Sequence, residues 1–182
     1  MKMLKSLFAL AMFALIVIAA TIYAGVYPFG ADTPHHKFTY WLLDTARDRS
    51  VTVASKDITV PDLQQVDLLI NGAIDYNEMC SACHLQPGQQ SSEMSLGLYP
   101  APPNLSTQNS GKITKENLAK RQFWTIKHGI KASGMPAWGA THSDDRIWAM
   151  VAFLQKLPDM TSLQYQVLSQ TDSKQENGHE NH

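Results

Sequence analysis

Cysteine is scarce in this chain: there are two among 182 residues, Cys80 and Cys83. With no further thiol available, a zinc site built from two cysteine pairs is excluded. Sustained alternation of apolar and polar residues is missing, so there is no strand series and no βαβ setting for a thioredoxin-like dithiol. Charge of one sign is not in excess either. The formal net charge is −1, which gives no sign of a nucleic-acid partner, and none is expected. Between Leu7 and Val26 charge is absent altogether. No internal repeat and no second Cys-x-x-Cys-His is present.

Both cysteines fall in Cys80-Ser81-Ala82-Cys83-His84. A Cys-x-x-C pair alone suits a redox dithiol or half of a zinc site. The histidine that follows favours covalent haem attachment. Two intervening residues let one turn of chain set both sulfurs along a porphyrin edge, each thiol adding to one vinyl group. His84 is then carried beneath the iron as the proximal imidazole. One covalent haem c is therefore expected.

A second axial ligand is sought among eight methionines. Met1, Met3 and Met12 lie in the N-terminal apolar segment, Met79 precedes the cysteines, and Met150 falls on a helical apolar face. Met94 and Met160 stand in polar surroundings without a constraining pattern. Met135 differs, because Gly134 and Pro136 punctuate its loop between two helix candidates. Glycine permits close backbone approach and proline stiffens the loop, so the thioether can be held at one point. Core filling is the usual fate of methionine, but beside a haem motif ligation by Met135 is the favoured reading.

These residues carry a family resemblance. Gly72-x-x-x-Tyr76-x-x-x-Cys80-x-x-Cys83-His84, then Pro103-Asn104-Leu105, then Met135-Pro136-Ala137-Trp138, then Ile147–Leu154 together resemble a class I c-type cytochrome over about residues 66–158. The resemblance implies that a small residue and an aromatic on the first helix, Gly72 and Tyr76, pack against last-helix aromatics, Trp148 and Phe153. It implies that the Pro103 carbonyl accepts a hydrogen bond from the proximal His84, fixing the ring and raising its donor strength. Trp124 is a candidate for the propionate-binding tryptophan of some members.

Helical periodicity agrees independently. Val66, Leu69, Ile70 and Ala73 share one face of a helix over 66–79. Thr114 suits an N-cap and Gly129 a stop. Ser143 with Asp144 and Asp145 starts another helix whose apolar positions are Ile147, Met150, Val151 and Leu154, ended by Pro158. The fold class is all-α: a cytochrome c-like helical domain around one covalent haem, preceded by a single N-terminal transmembrane helix. Such a small domain gains from the haem a large apolar centre that it otherwise lacks.

Leu7 to Val26 is long enough to span a bilayer. Lys2 and Lys5 precede it and the next basic residue is Lys37, so the N-terminus is expected inside and the rest outside. A retained anchor is favoured over a cleaved signal peptide, because Ile22 and Tyr23 spoil a small-residue cleavage site. The expected organisation is anchor 1–30, juxtamembrane stalk 31–65, cytochrome c domain 66–158 and a polar, disordered tail 159–182. Within the stalk a short helix is expected over 39–49 and extended chain over 50–60, and its His35, His36, Lys37, Phe38, Tyr40 and Trp41 suit the headgroup region. A stalk that spaces the domain from the bilayer is preferred to a docking element. Lys112, Lys115, Lys120, Arg121, Lys127 and Lys131 are offset along the chain only by Glu116. Steering of an acidic partner competes with an ordinary solvated face. His128 and His142 are read as surface or capping residues, and His179 and His182 in the tail as a poor metal site.

The expected function is electron transfer through a His84/Met135-ligated haem c, without enzymatic activity, on the outer, periplasmic face of a bacterial cytoplasmic membrane. Its partners are redox proteins, donor and acceptor, within a respiratory chain or membrane respiratory complex. The alternatives are a fixed haem subunit of an oxidase, reductase or dehydrogenase, and an open-site haem enzyme or gas sensor.

Overall fold

The computed structural model describes residues 1–107, 111 and 113–170. Among these every regular element is helical, as the periodicity predicts. The chain divides into two compact units, residues 1–34 and 35–182.

The first unit holds α1, Lys2–Tyr23, with all its residues exposed and Gly25 just beyond its end at φ +64°. Twenty-two residues rising about 1.5 Å each extend about 33 Å, and the helix is strongly apolar. By length and composition it can cross a hydrocarbon core of about 30 Å.

The second unit begins with α2, Lys37–Ser55. This helix corrects the expectation of extended chain from residue 50. Val51 and Ser55 are buried, and packing on a neighbouring helix outweighs the weak helix preference of the Val-Thr-Val run.

The next segment is one unbroken helical course: α3 (Val66–Asp75), a wider π-type turn (Tyr76–Cys80) and α4 (Ser81–His84). It ends at Leu85, which adopts φ +68°, and the short α5 (Glu93–Gly97) follows. α3 crosses α7 (Asp144–Leu154) so closely that any Cβ on Gly72 would run into the Ala149 carbonyl. Tyr76 then meets Phe153 at 5.3 Å between ring centroids. Trp148 instead stacks on Phe123 of α6 (Lys115–His128), 4.1 Å away and 17° from parallel. The aromatic packing implied by the resemblance is therefore split between two helices.

The helix ends follow their capping residues. Thr114 accepts from the Asn117 N–H and Ser143 from the Arg146 N–H, at 3.3 Å each. Gly129 closes α6 at φ +65°, and α7 stops at Leu154, before the turn containing Pro158.

The segment after Asp159 departs from the expected tail. α8, Ser162–Ser169, starts in a capping box formed by Thr161 and Gln164. It buries Tyr165 to 2 % exposure, its ring edge-to-face with Tyr76 at 6.2 Å between centroids. Residues 160–169 thus pack as part of the domain, because a polar-looking stretch still supplies one large anchor. The remainder of the expected tail, with His179 and His182, lies outside the described residues, as does Lys112.

Candidate functional site

The π-type turn and α4 carry both cysteines and His84 on one continuous backbone. Cys80 and Cys83 are free and half-buried. The Cys80 thiol is pushed up to about 12, chiefly by burial and then by the nearby Asp75 charge. Asp75 is itself buried and held by a fork from Arg146 of α7, with contacts of 2.6 and 2.8 Å. That pair fastens the start of the turn to α7, a bidentate arrangement with defined geometry.

His84 is the best-defined group. Its ring Nδ1 lies 2.9 Å from the Pro103 carbonyl oxygen. A carbonyl only accepts, so Nδ1 carries the hydrogen and Nε2 is the nitrogen left for another partner. Burial lowers the ring's proton affinity, opposed by the Pro103 bond, and so favours the neutral imidazole. Of the adjacent prolines, Pro103 makes this contact, in agreement with the implied role. The same loop is tied again by Leu105 N–H donating to the His84 carbonyl at 3.1 Å.

A hydrogen-bond mesh surrounds these atoms. The Tyr76 hydroxyl donates to the Leu85 carbonyl at 2.6 Å and approaches that of His84 at 3.2 Å. Ser81, between the cysteines, donates to the Asn77 carbonyl at 2.7 Å. Tyr165 of α8 donates to the Asn77 side-chain oxygen at 3.0 Å, and Ser92 donates to the Ala82 carbonyl. Sequence reasoning found Tyr76 but missed Tyr165 and Asn77. The signal that could have found α8 is Thr161-x-x-Gln164, a helix-start pattern inside the supposed tail.

Met135 sits in a loop that closes on itself. Ile130 N–H donates to the Met135 carbonyl at 3.1 Å, and Met135 N–H donates to the Ser133 hydroxyl at 3.1 Å. Gly129 passes so near that a Cβ there would lie 2.7 Å from the Met135 carbonyl oxygen. Cys80, Leu105, Met135 and Trp138 all pack on the same hydrophobic core, part-buried. Of the competing methionines, Met150 is 1 % exposed within α7 and Met94 is exposed. His128 is exposed at the end of α6, its ring 4.9 Å from that of Trp124. His142 is part-buried, its Nδ1 2.8 Å from the Thr141 hydroxyl.

The basic stretch is more balanced in space than along the chain. Lys120 pairs with Glu116 at 2.8 Å and Lys127 with Asp144 at 2.7 Å, while Arg121 pairs with Asp48 of α2. Acids distant in sequence supply what the local count lacks, which weakens the steering argument.

The donor set suits a covalently held haem: two adjacent thiols, an imidazole whose free nitrogen is fixed by its other bond, and a thioether beside the same core. Residues 68–154 match the family model described as cytochrome c oxidase, cbb3-type, subunit III. No curated protein and no solved structure matches the chain. The matched stretch runs from α3 through α7 and takes in Cys80, Cys83, His84, Pro103 and Met135, and residues 68–154 are a c-type cytochrome domain, a haem-based electron-transfer module.

Proposed function

We propose that the protein is a membrane-tethered, single-haem electron carrier with His84/Met135 axial ligation. The carrying observation is the 2.9 Å bond between His84 Nδ1 and the Pro103 carbonyl. It assigns the ring tautomer, and only that tautomer leaves Nε2 to donate its lone pair. Haem c, when bound, supplies reversible one-electron chemistry without bond changes in a substrate.

The chain's own residues do the rest. Cys80 and Cys83 would hold the group covalently and set its orientation. The Pro103 bond keeps the imidazole from rotating and increases its donor strength. Met135, held by the closed 130–135 loop, would supply the second ligand and so deny that site to small molecules. Ligation from both sides would favour a carrier over an enzyme or gas sensor. α1 tethers the domain, with Lys2 and Lys5 retained on the cytoplasmic side and the domain in the periplasm.

The description of the matching family favours a second reading, a fixed haem subunit of an oxidase. The two readings differ in assembly rather than in site chemistry, so stable copurification with other subunits separates them. The site itself is tested by optical spectroscopy of wild type beside Met135→Ala. The methionine–iron charge-transfer band should vanish in the variant, and its survival removes the axial assignment. A pyridine haemochrome ratio of haem to protein near one tests the single-haem count.

A further inference from the structure

α2 divides into two halves with different surroundings. Its second half is built into the domain: Val51 and Ser55 are buried, and Arg121 of α6 holds both the Asp48 carboxylate and the Thr52 hydroxyl. The approach to the helix is also tied down, since the His35 N–H donates to the Tyr99 hydroxyl at 3.0 Å. The first half presents Phe38, Tyr40, Trp41, Leu42 and Leu43 to solvent, each between 43 and 70 % exposed. Single exposed apolar residues are ordinary, but five in six positions form a patch that calls for a partner. Phe38, Trp41 and Leu42 share one helical face, and the Phe38 and Trp41 rings lie 5.9 Å apart.

Three observations choose lipid as that partner. α1 ends at Tyr23 and α2 begins at Lys37, and the short link reaches at most about 45 Å. That length is the farthest the patch can stand from a surface that α1 crosses, so contact with it is within reach. Its composition is that of an interface, with tryptophan and tyrosine joining apolar rings to polar tips. Its charge is also suitable: Asp44 pairs with Arg47 and Asp48 with Arg121, while Lys37 begins the aromatic turn. Exposed cations beside an apolar face favour anionic headgroups.

We propose that Phe38, Trp41 and Leu42 insert into the headgroup–acyl boundary, giving the cytochrome domain a second attachment to the bilayer. The inference rests on the reading of α1 as an anchor. Because the other half of α2 is fixed to α6, insertion holds the domain with one face toward the membrane rather than leaving it free on a stalk.

The test uses the full haem-loaded chain in liposomes of phosphatidylcholine and phosphatidylglycerol, with and without acyl-brominated phosphatidylcholine. Flotation with the liposomes reads the anchor, and bromine quenching of tryptophan fluorescence reads the patch. Trp41→Phe isolates the Trp41 contribution, and substitution at an exposed site preserves the fold. Bromolipid should quench wild type more strongly than Trp41→Phe. The Phe38→Ser/Leu42→Ser double variant should reduce the Trp41 quenching at least twofold while still floating. Equal quenching in wild type and Trp41→Phe, with both floating, overturns the insertion and assigns the face to a protein partner. Failure to float at all overturns the anchor and the insertion together.

Discussion

Around His84 the hydrogen bonds arrive from several separate segments, whereas around Met135 they arise within the loop itself. The Leu85 and His84 carbonyls meet Tyr76, Asn77 meets Tyr165, and His84 meets Leu105 and Pro103. Among the described residues, the hydrogen bonds of the Met135 loop come from Ile130 and Ser133, with Gly129 at its start. A mesh of separate bonds tolerates the loss of one. A self-closed loop has a single point of failure. The histidine side should therefore be redundant and the methionine side fragile, although both pack on one core.

Gly129→Ala should break this comparison most strongly. The residue sits at φ +65°, and its Cβ would press on three backbone atoms of residues 135–137. The backbone cannot yield as a flexible side chain would, so a cost of about 2–4 kcal/mol is expected from strain plus overpacking. The loop must move, and the methionine–iron band should be largely lost while covalent haem attachment persists. An unchanged band would mean that the loop is held by more than its own bonds.

Next in size is the paired removal of one hydroxyl from each side. Tyr76→Phe leaves the buried Leu85 carbonyl without its 2.6 Å partner and should cost about 1–2 kcal/mol in thermal unfolding. The haem spectrum should stay unaltered, because Leu105 and Pro103 still hold His84. Ser133→Ala removes both the donation to Ile130 and the acceptance from Met135 and should cost about 1 kcal/mol. Despite the smaller cost, its methionine–iron band should fade at a lower temperature than that of wild type. Equal spectral behaviour in the two variants would erase the distinction between mesh and loop.

The same contrast explains what was legible in the sequence. Cys80, Cys83 and His84 are adjacent in the chain, so local spacing alone reveals their chemistry. Caps at Thr114 and Ser143 and the stop at Gly129 are local signals too, and each helix starts or ends where they place it. Gly72 was readable only through the family resemblance, and its contact with the Ala149 carbonyl supplies the physical reason. What escaped was long-range. Nothing near Arg121 announces Asp48, and nothing near Asn77 announces Tyr165, because each partner lies about seventy or more residues away. The helical end of α2 escaped for the same reason, since its β-branched run is helical only against α6. The stacking of Trp148 on Phe123 escaped too, because periodicity gives a face, not the neighbour that covers it.

The smallest expected effect lies in the alkaline range, where the mesh on the histidine side should show a pH dependence that the Met135 loop lacks. Burial raises the Tyr76 hydroxyl well above the ordinary tyrosine range and pushes Tyr165 up to about 12. Both groups are therefore neutral in the folded chain at a pH where the unfolded chain has begun to ionise. A raised folded value contributes stability that is whole below the unfolded value of about 10 and declines as pH climbs from there. Thermal unfolding of the haem-loaded protein in detergent, followed from pH 8 to 11.5, should show a melting temperature that falls more steeply above about pH 10. In Tyr165→Phe that fall should become shallower, and in Tyr76→Phe/Tyr165→Phe shallower still. Ser133→Ala should keep the wild-type slope, because its hydroxyl does not titrate in this range. A wild-type slope in the double tyrosine variant would show that alkaline loss of stability starts outside the mesh. In that case the hydroxyls of Tyr76 and Tyr165 would act only as hydrogen-bond donors, and the redundancy of the histidine side would rest on Leu105 and Pro103.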